Sequence, residues 1–222
     1  MENGITIGNG VLWVLIWFGF MLLYTSLDVM VWRKIAPAFE KYLNALTIVL
    51  SMAVFLSFLV RKNSFKVDWF SGISFPGILF AAGCAILLYF LLDKGLDPVF
   101  ESFFPASEKH YQEALQTLSQ APVISLFQIC ILAPIIEEIL MRGYLLNGLS
   151  SGYGNMVALF VSSLLFALLH FNMVQTLSAL ICGIVLGLLY LQTGSIFCCI
   201  LTHAGYNFIS YMTMILPLYN KK

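Results

Sequence analysis

The chain has 222 residues, of which 60% are hydrophobic and only 10% are charged, and its mean hydropathy is +0.92. Soluble domains carry about 25% charged residues, so this composition excludes a water-soluble fold of this size and indicates an integral membrane protein. The formal net charge is zero, which argues against nucleic acid as a partner.

Apolar stretches follow one another along most of the chain. A helix that spans a bilayer needs about 20 mostly apolar residues. The stretches that we predict as spans are residues 11–32, 43–60, 73–92, 122–146, 156–170, 174–191 and 196–216. The sequence therefore predicts an all-α, polytopic membrane bundle of seven or eight transmembrane helices.

The segments between the spans differ in character. Residues 93–120 mix charged and aromatic side chains, which is typical of an interfacial loop with a short amphipathic helix near 107–119 on the membrane surface. The glycine-rich residues 147–155 are expected to end the fourth span. Gly183 and Gly187 are spaced as GxxxG and predict close helix packing in the sixth span. Asp28 is interpreted as a structural acid near Arg33.

Few ionisable groups occur between residues 121 and 219: Glu137, Glu138, Arg142, His170 and His203. Such groups inside a membrane normally face the bundle interior or a water-filled cavity, and they pair with one another. Glu138 and Arg142 are four residues apart on a helix and therefore share a face, which predicts an internal ion pair. Glu137 points about 100° away and is free to meet groups on other helices.

Two further pairs have the same helical spacing. Phe166 and His170 are four residues apart, as are His203 and Asn207. A glutamate and a histidine can hold and deprotonate a water molecule, while a second histidine and an asparagine can donate hydrogen bonds to an oxyanion. This set suits amide hydrolysis without a covalent intermediate. The sequence contains neither HExxH nor GxSxG, and the five cysteines lack metal-ligand spacing.

Three motifs in this order resemble those of the CAAX-protease and bacteriocin-processing (Abi) family of intramembrane proteases, which includes the type II CAAX prenyl endopeptidase. The resemblance covers about residues 120–210 and implies a catalytic core in residues 116–219, formed by the last four helices. Residues 1–115 would supply N-terminal transmembrane helices and the interfacial loop. The motifs are Glu137-Glu138-xxx-Arg142, Phe166-xxx-His170 and His203-xxx-Asn207.

The resemblance also implies a role for each motif residue. Glu137 and His170 would activate water, and His203 and Asn207 would stabilise the oxyanion. The supporting residues would be Glu138, Arg142 and Phe166. The expected mechanism needs no cofactor; the alternative is zinc bound by Glu137, His170 and His203.

The resulting hypothesis is an intramembrane endopeptidase that cleaves a membrane-associated peptide or protein in the bacterial plasma membrane. Its expected partners are the lipid bilayer and the peptide substrate. Bacteriocin immunity and peptide or pheromone processing are the biological roles associated with prokaryotic relatives. The alternatives are a non-proteolytic scaffold or immunity protein of the same fold and a proton-coupled transporter.

Overall fold

The computed structural model describes residues 4–219, and within this range the chain is helical with no β-strand. Backbone polar groups inside a bilayer must be paired within the protein, and an α-helix pairs them locally. The described helices are α1 (Ile7–Ile35), α2 (Glu40–Asn63), α3 (Phe75–Phe103), α4 (Pro105–Leu118), α5 (Pro122–Tyr153), α6 (Asn155–Leu168), α7 (Met173–Thr193), α8 (Ile196–Met214) and α9 (Leu216–Tyr219).

Five helices within residues 4–219 are long and apolar enough to cross a membrane: α1, α2, α3, α5 and α7. This confirms an all-helical, multi-pass membrane protein but does not confirm the predicted count of seven or eight spans. Helix α6 has only 14 residues, which is shorter than a bilayer requires. Helix α8 has 19 residues, but His203 and Asn207 interrupt its apolar character.

Helices α5 and α7 lie nearer the centre of the bundle than α1 and α2. In the most apolar window of α5 and of α7, 44% of the residues are buried, whereas the corresponding share in α1 and α2 is 17%. Helix α1 packs on α2 through aromatic rings, with Trp13 and Trp17 both against Phe55. The outer helices therefore expose apolar side chains, as lipid-facing helices do.

The GxxxG spacing of α7 places this helix directly against α6. A Cβ atom built on Gly183 would lie 3.1 Å from the Cα atom of Ser163, and one on Gly187 would lie 2.4 Å from a methyl carbon of Leu159. Only glycine leaves room for such an approach, so the predicted close packing is confirmed.

Helix α8 packs on α3 in a similar way. The Thr202 hydroxyl donates a 2.9 Å hydrogen bond to the Ala81 carbonyl, and a Cβ atom on Gly205 would lie 3.2 Å from that of Ala85. This contact connects the N-terminal half of the chain to the helix that carries His203.

Helix α5 is irregular and longer than predicted. It contains two π-helical stretches, Gln128–Leu132 and Ile139–Leu146, on either side of the paired glutamates. Such stretches often occur at functional sites. The glycine-rich residues 147–155 were predicted to end this helix from residue 147 onward, and that boundary was wrong. The helix continues to Tyr153. Glycine is tolerated there because tertiary packing holds the helix. The break occurs at Gly154, which has a φ of +79°.

The prediction for residues 93–120 was correct only in its second part. Helix α3 does not end near residue 92 but continues to Phe103 through a π-helical stretch, Leu92–Leu96. The amphipathic helix is present as α4, and its position on a membrane surface stays a prediction. The division at residues 115 and 116 also stays a prediction.

Two structural interpretations agree with the fold. The Arg33 guanidinium lies 2.9 Å from the Asp28 carboxylate, as expected for a structural ion pair. The five cysteines, all within the described residues, are buried and free, so none forms a disulfide.

Candidate active site

The four residues predicted to be catalytic line one cavity of about 410 Å³. Glu137 comes from α5, His170 from the turn between α6 and α7, and His203 and Asn207 from α8. The fold thus brings together groups that are up to 70 residues apart in sequence. Their chemical roles stay predictions, but their shared location is a property of the fold.

The predicted ion pair of α5 lies in the protein interior. Glu138 and Arg142 have exposed fractions of 0% and 1%, and Nη1 of Arg142 donates a 2.9 Å hydrogen bond to Oε1 of Glu138. Nη2 of the same guanidinium donates to the Gly183 carbonyl at 2.8 Å, and its carbon lies 5.0 Å from the centre of the Phe166 ring. Arg142 therefore ties α5 to both α6 and α7.

Glu138 has a second partner that spacing along one helix could not show. Oε1 of Glu138 also lies 2.8 Å from Nδ1 of His203, so it bridges Arg142 and the α8 histidine. A carboxylate accepts hydrogen bonds, and this contact therefore fixes a proton on Nδ1 and directs Nε2 elsewhere. Glu138 is consequently an orienting group for His203 as well as an anchor of α5.

The other nitrogen of His203 faces Glu137. Nε2 of His203 lies 3.7 Å from Oε2 of Glu137, beyond ordinary hydrogen-bond distance. The Glu137 side chain has an exposed fraction of 19% and reaches the cavity, whereas the Glu138 side chain has none. The two adjacent carboxylates therefore occupy different environments, as their helical spacing predicted.

His170 is held by the end of α6. Its Nδ1 lies 3.1 Å from the Phe166 carbonyl oxygen, and the two rings meet edge-on with centres 5.1 Å apart. The carbonyl can only accept, so Nδ1 carries the proton and Nε2 is left as an acceptor. The Thr176 hydroxyl also donates to the His170 carbonyl.

Burial lowers the pKa of His170; the hydrogen bond to Phe166 opposes this change, and the nearby His203 adds to it. The neutral imidazole is therefore favoured, and a neutral imidazole can accept a proton.

Asn207 is only partly available to a ligand. Its Nδ2 donates a 2.9 Å hydrogen bond to the Ile129 carbonyl, which lies in the first π-helical stretch of α5. An amide nitrogen carries two hydrogens, so one donor is committed to α5 and one remains. The contact fixes the orientation of the amide beside the cavity.

The cavity also contains polar residues that sequence reasoning did not assign to a site. They come from several helices, and no spacing pattern linked them to the motifs. Among them are Tyr24 on α1, Asp97 on α3, Tyr111 on α4, Ser178 on α7, and Tyr206 and Ser210 on α8.

The zinc alternative needs Glu137, His170 and His203 to surround one point. Within residues 4–219, no three histidine, cysteine, aspartate or glutamate side chains are grouped closely enough to hold a metal ion, and this includes Glu137, His170 and His203. Nδ1 of His203 and Nδ1 of His170 each face a protein acceptor, which leaves Nε2 as the nitrogen that a metal would use. That the protein works without zinc stays a prediction, and metal analysis of the purified protein tests it.

Residues 119–209 match the family model described as type II CAAX prenyl endopeptidase Rce1-like, a protease family. The matched segment contains all three motifs and confirms, for these residues, the family resemblance that the motifs carry. No curated protein and no solved structure matches the chain.

Proposed function

We propose that this multi-pass membrane protein is an intramembrane endopeptidase in which Glu137 and His170 activate a water molecule. The observation that carries the proposal is the convergence of Glu137, His170, His203 and Asn207 on one cavity. The match of residues 119–209 to a protease family supports the same reaction class.

A protein side chain accepts or donates the proton that moves in each step. Glu137 accepts a proton from the water as the water oxygen attacks the carbonyl carbon of the peptide bond. The unprotonated Nε2 of His170 accepts the other hydrogen bond of this water and orients it. The resulting acid form of Glu137 then gives its proton to the amine as the carbon–nitrogen bond breaks. Peptide and water are converted to a carboxylic acid and an amine, and Glu137 returns to its carboxylate form.

The developing oxyanion lies in reach of donors from α8. His203 carries a proton on Nδ1 toward Glu138, and in its doubly protonated form Nε2 donates to the oxyanion. The second amide hydrogen of Asn207 is the other donor. Glu138 and Arg142 keep this donor pair in position because they connect α5, α7 and α8.

We further propose that the protein lies in a bacterial plasma membrane and takes part in peptide or pheromone processing or in bacteriocin immunity. These finer statements rest on the resemblance to prokaryotic members of the family. The apolar helices α1, α2, α3, α5 and α7 support a membrane location in general.

Peptide mass spectrometry of cells tests the proposal. Cells that produce the wild-type protein should contain product peptides that are absent when they produce Glu137→Ala or His170→Ala at equal membrane abundance. Glu113→Gln is the matched control, because this glutamate lies on α4 with 57% side-chain exposure and does not line the cavity. Identical peptide profiles for the wild type and both site variants would refute the proposal.

A further inference from the structure

The cavity is lined by a second carboxylate besides Glu137, that of Asp97, and none of the residues that line the cavity is a lysine or arginine. We call the group of residues around this carboxylate the acidic wall and define it by Asp93, Asp97, Tyr111, Ser178 and Tyr206. Asp97, Tyr111, Ser178 and Tyr206 line the cavity directly. Asp93 lies behind Tyr206, whose hydroxyl donates a 2.9 Å hydrogen bond to it.

The two carboxylates of the acidic wall are buried without a basic partner. Asp93 and Asp97 have exposed fractions of 6% and 8%. Among the described ion pairs of residues 4–219, none involves either aspartate. The neighbouring Lys94 places its ammonium 5.3 Å from the centre of the Tyr89 ring, and its charge acts on Asp93 from beyond ion-pair distance.

Hydrogen bonds satisfy these carboxylates only in part. Oδ1 of Asp97 accepts from the Ser178 hydroxyl, and Oδ1 of Asp93 accepts from Tyr206. Oδ2 of Asp93 is buried and has no partner. Asp97 is the member of this pair that lines the cavity, and no cation is paired with it among the described ion pairs. A buried carboxylate without a paired cation is costly, so the arrangement favours a cation that enters from the cavity.

Two further carboxylates, those of Glu101 and Glu108, also act on Tyr111. Burial raises the pKa of Tyr111 above its usual range, and the charges of Asp93, Asp97, Glu108 and Glu101 raise it further. The phenol therefore lies in a field of four carboxylates. A long basic side chain suits this site, because its methylene stem can lie on the aromatic faces while its charged end meets the carboxylates.

The acidic wall begins next to the proposed catalytic residues. Tyr206 follows His203 by three residues on α8, which is a rise of about 4.5 Å at about 1.5 Å per residue. An extended peptide advances about 3.3 to 3.6 Å per residue. A side chain bound at the wall would thus belong to a residue close in sequence to the cleaved bond.

We propose that the acidic wall is a specificity subsite that binds a lysine or arginine side chain of the peptide substrate, close to the cleaved bond. This inference rests on the proposed endopeptidase function and names a substrate class for the same cavity. It assigns to Asp97 a direct contact with the cation and to Asp93 a supporting charge.

The test uses a peptide library prepared from a bacterial proteome with a protease that cuts after glutamate, so that lysines remain inside the peptides. Half of the library is acetylated at lysine, which removes the charge. Because acetylation leaves arginine charged, the rates are compared only for peptides that contain lysine and no arginine. Purified wild-type protein in liposomes should cleave these peptides about tenfold faster or more in the unmodified half, as expected when a charged hydrogen bond is lost. New termini should have lysine or arginine at one fixed and short distance along the sequence.

The Asp97→Asn variant should cleave the two halves at equal rates, whereas the exposed-site control Glu113→Gln should keep the wild-type preference. The ratio between halves is insensitive to partial loss of folded protein, so a less stable variant still gives an answer. Equal rates for wild-type protein would overturn the subsite and leave the endopeptidase proposal intact. A preference that survives Asp97→Asn would also overturn it. No hydrolysis of either half by wild-type protein would contradict the proposed function and, with it, the subsite.

Discussion

Replacement of Arg142 by methionine should destabilise the fold strongly, because this residue connects three helices. The change removes the hydrogen bonds to Glu138 and to the Gly183 carbonyl, at 2.9 and 2.8 Å, and the contact with the Phe166 ring at 5.0 Å. It also leaves the Glu138 carboxylate fully buried without its arginine. Breaking a buried pair in this way costs about 3 to 5 kcal/mol.

The free energy of unfolding can be measured for protein held in one detergent, with Arg142→Lys and the double variant Glu138→Gln/Arg142→Met for comparison. A lysine ammonium lacks the planar guanidinium group that donates to two acceptors at once. Arg142→Lys should therefore keep only part of the unfolding free energy that Arg142→Met loses. The double variant should be more stable than the sum of its single changes predicts, by about 0.5 to 3 kcal/mol. A loss below about 1 kcal/mol for Arg142→Met, or strict additivity in the double variant, would refute the anchoring role.

Three other predictions follow from particular contacts. The folded His170 resists protonation because its pKa is lowered. The free energy of unfolding should therefore fall as the pH drops below about 6.5, the ordinary pKa of histidine. The variant His170→Gln should remove that part of the pH dependence. A pH profile that is unchanged in His170→Gln would contradict this. Gly183→Ala should lower stability by about 1 to 3 kcal/mol, because the new methyl group meets the backbone of Ser163 at 3.1 Å. The control Gly83→Ala faces open space and should be neutral or slightly stabilising in the same unfolding measurement, so equal losses would exclude the packing explanation. Finally, peptide cleavage should persist after dialysis against a strong chelator, with no stoichiometric zinc in the purified protein; activity that is lost and then restored by zinc would support the metal alternative.

Helical spacing was sufficient to predict the contacts made within one helix. Glu138 and Arg142 pair as their four-residue separation requires. Phe166 contacts His170 as expected, although His170 lies just beyond the end of α6. The motifs also indicated which groups share a cavity. These features depend on local geometry that every α-helix repeats, so the sequence alone was informative.

Contacts between helices could not be predicted from helical spacing. The bond from His203 to Glu138 depends on how α8 packs on α5, and no spacing rule specifies that packing. The same holds for the amide of Asn207, which meets the Ile129 carbonyl in a π-helical stretch. A single sequence does not reveal where a long helix changes its hydrogen-bond pattern.

The acidic wall was missed for a different reason. Asp93 and Asp97 were interpreted as part of an interfacial loop, since charged residues between apolar spans usually lie in water. In the structure they belong to a continuous α3 and are buried beside the cavity. Local composition indicated the wrong environment because tertiary packing, not hydropathy, buries these two side chains.

The cleavage rate of purified protein on a peptide identified in cells tests the central claim most directly, with wild type compared with Glu137→Gln. General-base assistance contributes about 10² to 10⁴ to a rate, so Glu137→Gln should reduce kcat by that factor while the free energy of unfolding stays near that of wild type. A kcat for Glu137→Gln within about threefold of wild type would show that Glu137 does not activate the attacking water and would contradict the proposed mechanism.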